Sequence, residues 1–324
     1  MSLKKAIECI KKHNNFVVTS HTNLEGDALG SELAFFRLLR RLGKRARVIN
    51  EDSVPQRYAF LPDTERIKKL SRNTADNKFD CFAVLDCSDL NRTGRVHLMN
   101  KDKKTILNID HHISNVGFGN INWVQPHASS CSEMVYKIYK KLRLPFDKKT
   151  ALLLYTGILT DTGSFRYRST SAFTHQAVSD LLKYKIDAAG VHRKVYEDIP
   201  YEDLLFLSGI LQKIKLAFKG KVAWIEIGRG ILKKKGSSID LNEEILKFAR
   251  AIKGVEVVAL FKENLGSRQE TRINLRSSGK IDVNKIAAFF GGGGHRTASG
   301  CTLSVSLSRA KKCVLAEIKK YLRS

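Results

Sequence analysis

A carboxylate followed by two imidazoles, Asp110-His111-His112, stands at the end of the short apolar run over residues 105–107. Imidazole and carboxylate groups are the side chains that bind divalent ions such as Mn, Zn, Fe or Co. The tripeptide alone is equally typical of a surface loop with incidental histidines. The interpretation therefore depends on which other side chains accompany it.

Other acidic and histidine residues lie at comparable places in the chain. His21, Glu25 and Asp27 lie in a glycine-containing turn between a predicted strand over residues 16–20 and a predicted helix over residues 28–42. Asp86 directly follows the apolar run at residues 81–85. Asp161 falls at the C-terminal end of a predicted helix, where the helix dipole disfavours a carboxylate, and such local conflicts often mark functional sites.

Alternating strands and helices over residues 1–185 predict an α/β domain built on an open, mainly parallel sheet. Strands are expected at residues 16–20, 45–50, 81–85, 105–110 and 121–124. Helices are expected at residues 28–42, 63–70, 129–142 and 147–159. Because ligands bind beyond the carboxyl ends of the strands in such sheets, the acids that follow three of these strands are expected to converge.

The second part of the chain predicts a smaller α/β domain over residues 203–324, after a linker at residues 186–202 that contains a proline. Its helices are expected at residues 204–216, 242–252 and 283–289, and its strands at residues 222–227, 255–262 and 271–277. Four glycines at residues 291–294 precede His295. Their backbone N–H groups could surround an anion, or the run could be a flexible hairpin tip.

Composition restricts the partners. The formal net charge is +25, which favours polyanionic ligands such as nucleic acid or nucleotides, although a generally basic composition would give the same value. Six cysteines without paired C-x-x-C spacing predict buried, reduced thiols. No apolar run approaches the 18 residues of a membrane span and no signal peptide is evident, so we expect a cytoplasmic protein that does not bind membranes.

Five ordered motifs together resemble the DHH phosphoesterase superfamily, and most closely its bacterial subfamily of nano-RNases and 3′-phosphoadenosine 5′-phosphate phosphatases. The resemblance covers nearly the whole chain. Four of the motifs fall in the first domain and the glycine run falls in the smaller, DHH-associated domain. The motifs are His21 with residues 27–31, Leu85-Asp86, residues 110–115, residues 160–163, and residues 291–295 with 298–300.

The resemblance implies two divalent ions, usually Mn²⁺, that activate a water for attack on phosphorus. One departure concerns Glu25, which stands where the common motif has aspartate, so the first ion would lie slightly differently or bind more weakly. The implied ligands are His21, Glu25 and Asp86 for one ion, and Asp27, Asp86, His111 and Asp161 for the other.

The resemblance also assigns the remaining site residues. His112 would contact the scissile phosphate or protonate the leaving oxygen, and Asp110 would orient the neighbouring histidines. Arg276, together with residues further along the second domain, would bind the other end of a short nucleotide. Those residues are Gly292, Gly293, Gly294 and His295.

The function implied is metal-dependent hydrolysis of very short RNA to mononucleotides and of 3′-phosphoadenosine 5′-phosphate. Three alternatives remain open at the level of sequence. They are hydrolysis of linear dinucleotides derived from cyclic dinucleotide signals, inorganic pyrophosphatase activity, which the glycine motif disfavours, and non-catalytic binding of single-stranded nucleic acid. A homodimer is compatible with the sequence.

Overall fold

The computed structural model of the chain describes residues 2–71, 74, 78–229, 241–263 and 269–322. The chain divides into two compact units, Met1–Asp198 and Ile199–Ser324. Among the described residues, no helix has the length and apolar character needed to cross a membrane.

The first unit contains a six-stranded sheet in the order β3-β2-β1-β4-β5-β6, and each neighbouring pair is parallel. Its strands are β1 (Asn15–Thr19), β2 (Arg45–Asn50), β3 (Ile67–Lys69), β4 (Cys81–Leu85), β5 (Thr105–Asp110) and β6 (Ile121–Val124). Its helices are α1 (Leu3–Lys12), α2 (Gly26–Arg41), α3 (Cys131–Lys141), α4 (Lys148–Asp161), α5 (Ala172–Leu182) and α6 (Ala188–Tyr196).

Both faces of this sheet are covered, which explains why the central strand β4 is apolar throughout. Successive side chains of a strand point to opposite faces, so Phe16 and Val18 join the larger core under the helices. Val17 joins a second core on the other face, which contains Val96 and Met99. The latter two belong to the 3₁₀ segment Leu90–Met99. The predicted parallel α/β architecture is confirmed.

The strand order reverses between β1 and β4, because the chain first builds outward through β2 and β3 and then returns to build outward through β5 and β6. The carboxyl ends of β1 and β4 therefore border a topological switch point. Open α/β sheets bind ligands in the crevice that forms there.

Two sequence-based expectations for the first unit need comment. The helix predicted at residues 63–70 is wrong: a 3₁₀ turn at Thr64–Arg66 leads into β3, which pairs with β2 at the sheet edge. The segment 186–202, expected to be a linker, contains α6 and the start of the next helix.

The second unit contains a mixed six-stranded sheet in the order β11-β12-β10-β9-β8-β7, in which only β8 and β9 are parallel among the described strands. Its strands are β7 (Lys215–Ala217), β8 (Val222–Ile227), β9 (Val257–Glu263), β10 (Thr271–Ser277), β11 (Gly293–His295) and β12 (Ala298–Leu303). Its helices are α7 (Tyr201–Leu211), α8 (Leu241–Arg250), α9 (Val283–Phe289) and α10 (Leu307–Tyr321).

Two features of this unit differ from the sequence-based expectation. The helix expected at residues 204–216 ends at Leu211, and β7 follows it because Lys215–Ala217 pairs with β8. The glycine run does not form a loose hairpin tip throughout. Gly293 and Gly294 belong to β11 and pair with β12.

Candidate active site

The predicted site residues of the first unit converge at the carboxyl ends of its central strands. His21 follows β1, Asp86 follows β4, and β5 ends at Asp110, followed by His111 and His112. These strands are neighbours in the sheet, so three loops that are distant in sequence open at one edge.

Asp86 lies at the centre of this cluster. Its Oδ2 is 3.6 Å from His21 Nε2 and its Oδ1 is 3.4 Å from His111 Nε2. The residue is only 4% exposed, yet within the described chain no group donates a well-formed hydrogen bond to Oδ1. A buried carboxylate oxygen in this state is costly unless a ligand satisfies it. Its backbone also adopts a positive φ of 53°, a conformation that is uncommon outside glycine and concentrated at functional sites.

His111 turns its Nε2 toward the carboxylates. Nδ1 lies 3.3 Å from the carbonyl oxygen of Ala128, to which it donates, and this assigns the proton to Nδ1. Nε2 lies 3.3 Å from Asp161 Oδ2 and 3.9 Å from Asp27 Oδ2. A histidine held this way presents an unprotonated nitrogen to a metal ion.

Asp27 links the site to the N-terminus of α3. Its two carboxylate oxygens accept hydrogen bonds from the backbone N–H groups of Cys131 (2.6 Å) and Ser132 (2.8 Å). The first-turn amides of a helix favour a negative charge. The carboxylate is therefore fixed in direction although it is almost fully buried.

Glycines bring α2 and α4 close enough for Asp27 and Asp161 to meet around His111. A Cβ atom at Gly30 would lie 2.5 Å from the carbonyl oxygen of Leu153, and one at Gly157 would lie 2.8 Å from Asp27 Oδ1. Neither position has room for a side chain. Asp161, the last residue of α4, is in this way carried to the carboxylate cluster.

His112 is oriented by a buried acid. Its Nδ1 donates to Asp110 Oδ1 over 2.7 Å, and Asn115 donates to Asp110 Oδ2 over 2.6 Å. Although burial raises the pKa of Asp110, the bond from His112 holds it below its usual value, so the carboxylate is ionised. Asn115 was not among the predicted site residues. Its place in the motif over residues 110–115 was the available signal.

Burial and the crowding of carboxylates together determine the protonation of this cluster. Burial, together with Asp86, raises the pKa of Asp27 to about 6, and burial with the surrounding acids raises that of Asp161. Burial opposes ionisation of Asp86 as well, but the neighbouring imidazoles of His111 and His21 keep its pKa well below the usual range. Burial disfavours the charged form of His111, yet Asp161 and Asp86 raise its pKa well above the ordinary value. A site where protons must offset crowded carboxylates is one that cations would occupy instead.

Metal-binding geometry is present for part of the predicted ligand set. Asp27, Asp86 and His111 each offer a ligand atom, and these atoms lie within 4.8 Å of one another. The same holds for Asp86, Asp110 and His112. Glu25 belongs to neither of these groups, since it is the exposed N-cap residue of α2. Its charge contributes to raising the pKa of Asp161.

The predicted substrate residues of the second unit lie on β10, on β11 and directly before β11. Arg276 pairs with Glu243 of α8 and also donates to the carbonyl oxygen of Leu275. His295 is fixed through its carbonyl oxygen, which accepts from Ser299 Oγ over 2.6 Å. The remaining predicted residues are Gly292, Gly293 and Gly294, of which the last two are in β11.

The three glycines differ in what the fold demands of them. A Cβ atom at Gly292 would lie 2.2 Å from the carbonyl oxygen of Gly300, and one at Gly294 would lie 2.5 Å from that of Ala298. Gly293 is exposed, and a Cβ atom there would meet nothing closer than 3.8 Å. Packing therefore explains glycine at two positions and leaves Gly293 unexplained by the fold.

Comparison with family models gives two matches in chain order. Residues 15–158 match the DHH family, N-terminal domain, and residues 233–324 match the DHHA1 domain. The first covers every strand of the parallel sheet and all the clustered site residues except Asp161. The second covers β9–β12 with the glycine strand.

Individual relatives agree with these matches. The chain is 28% identical over 311 residues to the bifunctional oligoribonuclease and PAP phosphatase NrnA of Thermus thermophilus, covering 94% of this chain and 89% of the relative. It is 25% identical over 302 residues to the NrnA of Bacillus subtilis, covering 92% of each. Among solved structures, an exopolyphosphatase-related protein from Bacteroides fragilis superposes with a TM-score of 0.87 at 27% identity, covering 98% of this chain and 95% of that one.

Proposed function

Because the chain belongs to the DHH phosphoesterase superfamily, we propose that this phosphoesterase hydrolyses very short oligoribonucleotides to mononucleotides and removes the 3′-phosphate of 3′-phosphoadenosine 5′-phosphate. The names of relatives that align over nearly the full chain give both activities. The net charge of +25 supports a polyanionic substrate.

Two divalent ions, Mn²⁺ in this proposal, fit the carboxylate cluster. The observation that supports them is Asp86. Its buried Oδ1 has no well-formed hydrogen bond among the described groups and lies 3.4 Å from His111 Nε2, and its Oδ2 lies 3.6 Å from His21 Nε2. In two-metal sites, such ions activate water and neutralise charge on the phosphoryl oxygens. His21, Asp86 and the exposed Glu25 would hold one ion. Asp27, Asp86, His111 and Asp161 would hold the other.

His112 carries the proton transfer in this proposal. Its Nδ1–H donates to the ionised Asp110, so the proton for the leaving oxygen would come from Nε2. The Asp110 carboxylate stabilises the imidazolium form that this requires, and Asn115 fixes the carboxylate from its other oxygen. Asp110 is thus a positioning residue for His112.

The glycine strand of the second unit supplies the binding role. Gly293 is exposed and has space for a Cβ atom, so its lack of a side chain is best explained by close approach of a ligand to the backbone. His295 and Arg276 lie on the same sheet and would contact the phosphates or base of a nucleotide. Manganese as the resident metal and a cytoplasmic location remain part of this proposal.

A substrate panel tests the proposal. The purified chain is incubated with Mn²⁺ and RNAs of two to ten nucleotides, 3′-phosphoadenosine 5′-phosphate, a linear dinucleotide with a 5′-phosphate, and pyrophosphate. We expect turnover of the shortest RNAs and of the bisphosphate nucleotide, and its loss in Asp86→Asn. The matched control is Asp102→Asn, since Asp102 is an exposed loop residue away from the cluster.

The other outcomes separate the alternatives. Turnover confined to the 5′-phosphorylated dinucleotide would assign the chain to breakdown of a cyclic dinucleotide signal. Turnover of pyrophosphate alone would make it a pyrophosphatase. Tight binding of single strands that is indifferent to Asp86→Asn, with no turnover of any substrate, would contradict the enzymatic proposal.

A further inference from the structure

A second group of side chains of metal-binding types lies at the amino ends of the strands of the first sheet, away from the carboxyl ends where the acids converge. Cys9 and His13 are four residues apart at the C-terminal end of α1, and Cys81 is the first residue of β4. One ligand atom from each lies within 4.8 Å of the others. Asp86 lies five residues after Cys81, roughly 16 Å along an extended strand, so this group is separate from the carboxylate cluster.

The two spacings that involve Cys9 Sγ match tetrahedral zinc coordination. With zinc–sulfur bonds of about 2.3 Å and zinc–nitrogen bonds of about 2.0–2.1 Å, two sulfurs stand about 3.8 Å apart and a sulfur and a nitrogen about 3.6 Å apart. The two sulfurs are 3.9 Å apart here, and Cys9 Sγ is 3.6 Å from His13 Nδ1. A disulfide would instead require the sulfurs to approach by about 1.9 Å.

The surrounding backbone holds the three side chains in register. The carboxylate of Asp80, next to Cys81, accepts from the backbone N–H groups of Asn14 (3.0 Å) and Asn15 (2.9 Å). These residues directly follow His13, so the connection after α1 is joined to the start of β4. A site that is already positioned loses little conformational freedom when an ion binds.

His13 is able to ligate without leaving a backbone group unsatisfied. Its Nδ1 now donates to the carbonyl oxygen of Cys9 over 2.9 Å, and on metal binding the ring would change tautomer, so that Nε2 carries the proton and Nδ1 is free to ligate. The same oxygen keeps its bond from the backbone N–H of His13. Both thiols are buried, but the His13 ring is partly exposed. An ion and a fourth ligand from solvent therefore have a path to the group on the side of the ring.

We propose that Cys9, His13 and Cys81 bind one zinc ion, with a solvent molecule as the fourth ligand, in a site that fastens the N-terminal helix to the central strand. Thiolate and imidazole ligands suit zinc, and hard ions such as Mn²⁺ or Mg²⁺ prefer the oxygen-rich cluster at the carboxyl ends of the strands. Two thiolates also balance the charge of Zn²⁺, so the ion would be neutralised in a largely buried position.

Cobalt substitution tests the site without reference to activity. The full chain carrying Cys313→Ser, which removes an exposed thiol, is reduced, stripped with a chelator and titrated with Co²⁺. We expect a near-ultraviolet thiolate-to-cobalt absorption band with visible bands of a tetrahedral ion, displaced by one equivalent of Zn²⁺. Ions at the carboxylate cluster do not give the thiolate band because their ligands are oxygen and nitrogen.

Three variants in the same background complete the test. Cys81→Ala should abolish the thiolate band. His13→Gln, at a partly exposed position, should weaken zinc binding at least about 10-fold. Cys301→Ala, which removes a buried thiol of the second unit, should leave both unchanged. Absence of the band, its survival in Cys81→Ala, or mass spectra showing Cys9 joined to Cys81 in the purified chain would overturn the proposal.

Discussion

Glu32 gives the first unit a pH-dependent stability that can be tested independently of any metal. The side chain lies in α2 with no exposed surface, and Asn50 donates to both of its oxygens, over 2.8 and 3.1 Å. Burial raises its pKa to about 8, against an ordinary value of 4.5. Glu32 is therefore mostly protonated in the folded protein at pH 7.

The direction of this pH dependence follows from the difference in bound protons between the folded and unfolded states. Between pH 4.5 and pH 8 the folded state keeps a proton that the unfolded state has lost, so the free energy of unfolding falls as pH rises, by up to about 1.4 kcal/mol per pH unit. From pH 6 to pH 8 the expected loss is about 2 kcal/mol, since the slope lessens near the folded pKa. Glu32→Gln removes the ionisation while keeping the size and an oxygen that can accept from Asn50.

Urea unfolding in the presence of a chelator measures this loss. The chain has two tryptophans, so a Trp224→Phe background makes the fluorescence of the buried Trp123 report on the first unit alone. Glu32→Gln should flatten the pH dependence by about 2 kcal/mol between pH 6 and pH 8. Glu65→Gln, at an exposed glutamate, is the control and should keep the wild-type slope. A Glu32→Gln variant with the full wild-type slope would refute the argument.

Further predictions concern the carboxylate cluster around Asp86, the glycine strand β11 and the N-cap of α4. At Mn²⁺ 100-fold above its Kd, the melting temperature of the first unit should rise by about 5–10 °C, and calorimetry should find this rise absent from Asp86→Asn. Gly294→Ala should destabilise the second unit by about 2 kcal/mol in urea unfolding because its Cβ would clash with a carbonyl oxygen. Gly293→Ala should leave that stability unchanged and raise KM for a dinucleotide about 10-fold, so an unaltered KM would contradict the binding role. Asp147→Ala should cost about 1–2 kcal/mol in thermal unfolding, because Asp147 caps α4 by accepting from the Thr150 N–H over 2.8 Å, and no loss would show the cap to be unimportant.

Much of the first domain followed from the sequence because its signals are local. The buried strand β4 is a continuous apolar run that Asp86 follows, and β5 begins with a short apolar run and ends at Asp110, which His111 follows. The rule that parallel strands gather ligands at their carboxyl ends then placed His21 and Asp86 close together. The structure agrees, with Asp86 3.6 Å from His21 and 3.4 Å from His111.

The errors arose where tertiary pairing outweighs local pattern. β3 is a three-residue edge strand with two exposed lysines, so nothing in its composition distinguishes it from a helix end. β7 is equally short, and its pairing with β8 truncates the helix expected there. Such strands are defined by the neighbour they contact, which a single sequence does not specify.

The sequence motifs also did not predict how the side chains of the site are oriented. Asp27 faces inward because the N-terminus of α3, more than 100 residues later, donates to it. Gly30 and Gly157 allow the close helix contact that carries Asp161 to His111. These are long-range relations between side chains and backbone, and each depends on how two helices pack.

The central claim is that acids and histidines from separate loops of the first unit bind a pair of cations around Asp86. Crystals of the full chain soaked in MnCl₂ and measured at the manganese absorption edge test it most directly. We predict two anomalous peaks about 3.5–4 Å apart on either side of the Asp86 carboxylate. The absence of any peak within bonding distance of Asp86, or manganese bound only at other surfaces of the chain, would contradict the claim.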